Sequence, residues 1–211
     1  MENKDSEFGC RFCAIAHGRT FHGAADIPID GDESYFSVAS IGALVEGWSL
    51  IVPREHRLSL PGLYGQQAFS AFTRRIVERV ESRYGSTVVF EHGANEPGSL
   101  TNCGTDHAHL HVVPLAFSLQ ELVRISPLTD WKRIRASEIS AAARTSEYLF
   151  FSEHPLEKDL TGYLHVLRTP ISQFFRKLIA NHTGKTAIAD YRAHLLLDTA
   201  ERTHQRLAHV D

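Results

Sequence analysis

The stretch Cys103-Gly104-Thr105-Asp106-His107-Ala108-His109-Leu110-His111-Val112-Val113-Pro114 restricts what this chain can fold into more than any other. Successive side chains of a β-strand point to opposite faces. An extended reading puts His107, His109 and His111 on one face and Ala108, Leu110 and Val112 on the other. A helix would scatter the imidazoles around its axis. The valine pair, the turn signal at Gly104 and the strand-ending Pro114 favour the strand. The expectation is a row of imidazoles on an exposed edge, with an apolar face turned to the core. Such a row suits metal ligation, or phosphate chemistry by a nucleophilic histidine supported by its neighbours.

With 211 residues, 43% of them hydrophobic and 22% charged, the chain can bury a core as one domain or one domain with an extension. A net charge of -3 offers no basic field for polymeric DNA or RNA. No stretch reaches the roughly eighteen apolar residues of a membrane span, and the charged start lacks a signal-like apolar region. Residues 1–8 read as a flexible lead, and the chain is expected in the cytoplasm with no membrane partner. Cys10-x-x-Cys13 has the spacing at which two thiolates bind one zinc ion or form a redox pair. No apolar strand precedes it, which argues against a thioredoxin-like role.

Alternation predicts strands at 34–39 and 48–52 around a turn at Glu46-Gly47, and another at 87–90. Phe69, Phe72, Ile76 and Val80 recur at helical spacing within 63–84, and Gly85 reads as the helix stop. A loop over 91–99 leads back to the histidines. Beyond Phe117 the pattern gives a helix at 118–125 capped by Ser118, a hairpin of 147–151 and 162–168, and helices at 170–179 and 195–207. Gly184-Lys185-Thr186 is not a phosphate loop, because Ile179 stands where that motif needs glycine. Gln173 and Arg176 are the polar residues of this part to watch; an arginine near a pocket could grip a β- or γ-phosphate.

Three motifs in order carry a resemblance: Cys10-Arg11-Phe12-Cys13-Ala14-Ile15, then Gly47-Trp48-Ser49-Leu50-Ile51-Val52-Pro53-Arg54-Glu55-His56, then His107-x-His109-x-His111 with two valines. Over roughly residues 8–116 the chain resembles the histidine-triad superfamily of nucleotide hydrolases and transferases. The resemblance implies an α+β fold, a mainly antiparallel sheet with a helix packed across it. It places that domain at residues 1–116, with 117–211 as a mixed α/β C-terminal extension packed on it. It also implies a nucleotidyl hydrolase or transferase that cleaves a nucleotide ester, anhydride or phosphoramidate at the α-phosphate, as dinucleoside polyphosphate or nucleoside phosphoramidate hydrolases do. His109 would be the nucleophile, oriented by the His107 carbonyl, and His111 would contact phosphate oxygens. Cys10, Cys13, His56 and His107 would hold a structural zinc ion, with no cofactor required for the chemistry. The implied partner is a nucleotide small molecule, with a homodimer as a candidate assembly.

The chain departs from the phosphoramidase-like members, which have Asn-x-Gly ahead of the loop and Gln-Ser before the first histidine; here stand Glu91-His92-Gly93 and Cys103-Gly104. Ser99, Thr101, Asn102 and Gly104, with Arg176 from the extension, are the candidate substrate contacts. His111 argues against the uridylyltransferase branch, which has glutamine there. Two other readings are a catalytically silent nucleotide-binding or adaptor protein with a structural zinc ion, and a metalloenzyme that uses the three strand histidines directly.

Overall fold

A computed structural model describes residues 9–208; the lead read at 1–8 lies outside them. In chain order the elements are α1 (Arg11–Ala16), β1 (Asp30–Gly31), β2 (Tyr35–Ala39), β3 (Ser49–Pro53), α2 (Gln67–Tyr84), β4 (Thr87–Gly93) and β5 (Leu110–Pro114). Then come α3 (Leu119–Arg124), β6 (Lys132–Arg135), α4 (Ile139–Ala143), β7 (Tyr148–Ser152), β8 (Thr161–Val166), α5 (Phe174–His182) and α6 (Leu197–Ala208). The strands form one eight-stranded sheet in the order β1-β2-β3-β5-β4-β7-β8-β6. Every pairing is antiparallel. The class is α+β, as the resemblance implies.

Both faces of the sheet are covered, which is why β2 and β3 are buried along their whole length. Tyr35, Ile51, Val89, Leu110, Val112 and Phe150 pack against Phe69, Phe72, Ile76 and Val80 of α2 and Leu207 of α6. Phe36, Leu50, Val52, Phe90, Val113 and Phe151 pack against Phe12 and Ile15 of α1 and Phe175 and Ile179 of α5. Each large apolar side chain so buried contributes about 1.5–3 kcal/mol. The helix expected across the sheet is α2, and Gly85 ends it at φ 85 with its N–H on the Glu81 carbonyl. The opposite face, expected to leave the histidines exposed, lies instead under α1 and α5.

Three other expectations change. The strand of the histidines begins only at Leu110, so His107 and His109 sit in irregular backbone just before it. The helix read from 170 begins at Phe174, because Gln173 adopts φ 58 and breaks helical geometry. α1, β1, β6 and α4 carry no period that marks them, being short or highly charged, and β4 runs on to Gly93 through the start of the loop expected over 91–99. β4 pairs with β5 on one side and β7 on the other, so its outer edge is closed by the chain's own later strand. Among the described residues no helix is long and apolar enough to cross a membrane.

Candidate active site

The three motifs meet in one corner. Cys10 caps α1 and Cys13 lies in its first turn, so both thiols face the segment that precedes β5. Cys10 Sγ is 3.3 Å from His107 Nδ1, and Cys13 Sγ lies 3.2 Å from His56 Nδ1 and 3.5 Å from His107 Nδ1. All four ligand atoms fall within 4.8 Å of one another. A tetrahedral zinc ion with ordinary Zn–S and Zn–N bonds sets ligand atoms roughly 3.5 Å apart, so the residues fit the metal. His107 Nε2–H donates to the Pro53 carbonyl at 2.8 Å, which leaves Nδ1 as the lone pair facing the thiols. That is the outer-shell bond expected of a ligating imidazole.

The same residue aims its neighbour. His109 Nδ1–H donates to the His107 carbonyl at 2.8 Å, so Nε2 carries the free lone pair. Burial pulls the His109 pKa down to about 4, and the nearby Arg11 charge lowers it further against that carbonyl bond. The imidazole is therefore neutral at pH 7. Phe12 of α1 sets its ring 5.4 Å from that of His109 and 5.7 Å from that of His107. His111 is fixed in the opposite sense: Trp48 Nε1–H donates to its Nδ1 at 3.0 Å, which leaves the proton on Nε2. Burial, with His109, His92 and Arg176 nearby, holds His111 well below the usual histidine range. One imidazole thus offers a lone pair and the next a proton.

His109 and His111 line a cavity of about 240 Å³. Trp48, Leu50, Ile41, Phe90 and Phe12 give it apolar walls, and Arg11, His92, Asn102, Cys103, Gly104, Thr105, Gln173, Arg176 and Tyr191 supply polar atoms. Near its mouth, Arg11 donates to Asp26 at 2.8 Å. His92 Nε2 is buried without a hydrogen-bond partner among the described residues.

The structure brings some expected residues together and separates others. His107, His109, His111, Cys10, Cys13 and His56 converge, and Asn102, Gly104 and Arg176 reach the cavity. His107 faces the thiols while His109 and His111 face the cavity, so the three triad imidazoles do not share one metal point. Ser99 does not line the cavity; its hydroxyl accepts from the Thr101 N–H and caps a short 3-10 turn. Thr101 is fully buried and donates to Glu147, also away from the cavity. The departing Glu91-His92-Gly93 has a structural cause. Glu91 points to the α2 side, where it accepts from Leu60 N–H, Tyr64 and Tyr148, and His92 takes the cavity face instead. Trp48, His92, Arg11 and Tyr191 went unread. For Trp48 the signal was its place two residues before Leu50, which pairs with His111 across β3 and β5. Tyr191 had no signal, since its contact partner Cys103 lies 88 residues away.

No family model and no curated protein matches the sequence. Among solved structures, the chain is similar to a zinc-bound histidine triad family protein from Mycobacterium smegmatis, at 22% identity over 59% of this chain and 84% of that one, TM-score 0.40. It is similar to a yeast Ap4A phosphorylase in complex with AMP at 14% identity, over 77% of this chain and 72% of that one, TM-score 0.42. A GalT-like protein from Arabidopsis thaliana is similar at 7% identity, over 77% and 83%, TM-score 0.39. Likenesses this distant leave function to be read from the site's own geometry.

Proposed function

We propose that this chain is a nucleotidyl hydrolase or nucleotidyltransferase of the histidine-triad kind, with residues 1–116 as its catalytic domain and 117–211 packed on it. Its substrate is a nucleotide ester, anhydride or phosphoramidate of the dinucleoside polyphosphate or nucleoside phosphoramidate type. The observation that carries this reading is the His109 Nδ1–H bond to the His107 carbonyl, which leaves Nε2 unprotonated in a buried cavity.

In the first step the Nε2 lone pair of His109 forms a bond to the α-phosphorus, and the bond from phosphorus to the leaving group breaks with its electron pair. His109 Nδ1–H stays on the His107 carbonyl, which shares the positive charge that develops on the ring. His111 presents Nε2–H to the phosphate oxygens, because Trp48 occupies its other nitrogen. Asn102 and the Gly104 backbone stand at the same mouth. In the second step water, or another acceptor, attacks phosphorus and returns the electron pair to His109. A zinc ion held by Cys10, Cys13, His56 and His107 would act as a staple. It would fix His107, whose carbonyl aims His109, and take no part in bond making.

Intact-protein mass spectrometry after brief, acid-free incubation with a panel of nucleotide conjugates tests the reading. A nucleotidyl adduct on wild type and none on His109→Ala is expected. Tight, unmodified binding by both proteins would instead support the adaptor reading and overturn this one.

A further inference from the structure

Arg176 of α5 is 5% exposed, yet among the described residues no carboxylate is hydrogen-bonded to it. Its Nε and Nη2 donate to the carbonyls of Ala189 and Ile188, both at 2.8 Å. Its Nη1 is buried and has no hydrogen-bond partner among the described residues. A Cβ on Gly42 would lie 3.4 Å from that Nη1, and Gly42 and Arg176 both line the cavity. A buried donor left unpaired costs about 1–3 kcal/mol, more for a charged group, so this one calls for an acceptor that arrives with a ligand.

The cavity has two unlike ends. Gly104 is exposed, and Arg11, Gly104 and Thr105 are shared with an open groove that also holds His56, Asp106 and Arg192. The closed end is made of Trp48, Leu50 and Phe90, each at most 4% exposed. In the two-step reaction the leaving group must escape to solvent, while the nucleoside stays bound to His109 until the second step. The leaving group therefore belongs at the open end and the nucleoside at the closed one. Arg176 belongs to the closed side: it is buried, and Phe175, the residue before it on α5, sets its ring 4.7 Å from that of Phe90 and 5.2 Å from that of His92.

We propose that Arg176 is a specificity-determining residue that reads an acceptor atom on the base of the retained nucleoside, rather than a clamp for a leaving phosphate. This rests on the nucleotidyl-transfer reading above. A base suits the site better than a second phosphate on the ribose. The closed end is walled by the apolar Trp48, Leu50 and Phe90, and Asp190, held by Gln173 Nε2 at 2.8 Å, already supplies a negative charge close to the guanidinium. Gln173 Oε1 also accepts the Tyr191 N–H at 2.9 Å, which fixes the segment whose carbonyls hold Arg176.

The test is calorimetry of AMP, GMP, UMP and CMP on the full zinc-loaded chain, as wild type, Arg176→Met and Arg176→Lys. Wild type should discriminate among the four, and Arg176→Met should shrink the spread about 10- to 100-fold, with Arg176→Lys between. Single-turnover rates with one nucleoside and leaving groups of different charge should fall by the same factor for each. An equal loss for all four nucleotides would mark Arg176 as merely structural. A loss that grows with leaving-group charge would make it a phosphate clamp, and discrimination seen only with 2′- or 3′-phosphorylated nucleotides would move the acceptor to the ribose; each overturns the proposal. If wild type binds no nucleotide and forms no adduct, the nucleotidyl-transfer reading itself falls. If it binds and Arg176→Met keeps the full spread, only the role of Arg176 falls.

Discussion

Glu91 is the carboxyl whose ionisation should be most visible in the stability of this fold. It is 1% exposed, and Leu60 N–H, Tyr64 Oη–H and Tyr148 Oη–H each donate to it at 2.7 Å. Burial outweighs those three bonds and the nearby Arg57 charge, and raises its pKa from 4.5 to about 7. The folded protein then binds this proton more tightly than the unfolded chain does. The contribution is fully present below pH 4.5 and is lost as pH rises through 7. Two and a half decades of proton affinity, at about 1.4 kcal/mol each, come to about 3 kcal/mol. Glu91→Gln mimics the protonated carboxyl. Urea unfolding of both proteins at pH 4.5 and pH 8, with zinc saturating, isolates the effect, because other titrating groups cancel in the difference. Between those pH values the stability of the variant should rise relative to wild type by about 3 kcal/mol. Parallel pH profiles would refute the reasoning and show that the three donors keep the carboxylate ionised.

Trp48→Phe keeps a buried ring but removes the donor that places the His111 proton, so the nucleotidylation rate should fall about 3- to 10-fold with little change in nucleotide affinity. Single-turnover kinetics check it, and an unchanged rate would sink the assigned His111 tautomer. Cys13→Ala should take bound zinc from one ion per chain to none and lower the melting temperature, read by metal analysis and thermal unfolding. Retained zinc would refute the ligand set. Gly93→Ala would put a Cβ 2.1 Å from Tyr148 ring carbons and push that ring off Glu91, costing about 1–3 kcal/mol in urea unfolding. A change below about 0.5 kcal/mol would show that the ring moves freely.

Features with a short period could be read from the chain directly. The spacing of Phe69, Phe72, Ile76 and Val80 yields α2, and Gly85 its end, because amphipathic order and a left-handed stop are local. The convergence of Cys10, Cys13, His56 and His107 was legible because these residue types are few and chemically marked. The exposure of the histidines was not legible. Alternation predicts which side chains share a face, but not what covers it, and α1 and α5 arrive from opposite ends of the chain. The roles of Glu91 and His92 were hidden for a related reason. Which way that segment faces is set by partners distant in sequence, Leu60, Tyr64 and Tyr148 around Glu91, and by the close approach of Tyr148 to Gly93.

The residues after 117 bear on the site in two places that the triad motif alone would not suggest. Cys103, four residues before His107, is held at φ 56, a conformation that costs a non-glycine residue free energy unless its surroundings enforce it. Those surroundings come from the later part of the chain. Tyr191 Oη–H donates to the Cys103 carbonyl at 2.5 Å, and the Gln173 N–H donates to its Sγ at 3.0 Å. Gln173 is itself at φ 58, and its side chain bridges Asp190 and the Tyr191 N–H. The turn that delivers the histidines and the segment that carries Arg176 thus share one hydrogen-bonded set. On the other side of the triad, His107 is gripped by the cysteines of α1 and by Pro53. His109 therefore stands between two independent anchors, one built on thiols and one on the extension. Loss of either should loosen His109 from a different direction, so the later part of the chain bears on the cavity as directly as the cysteines do.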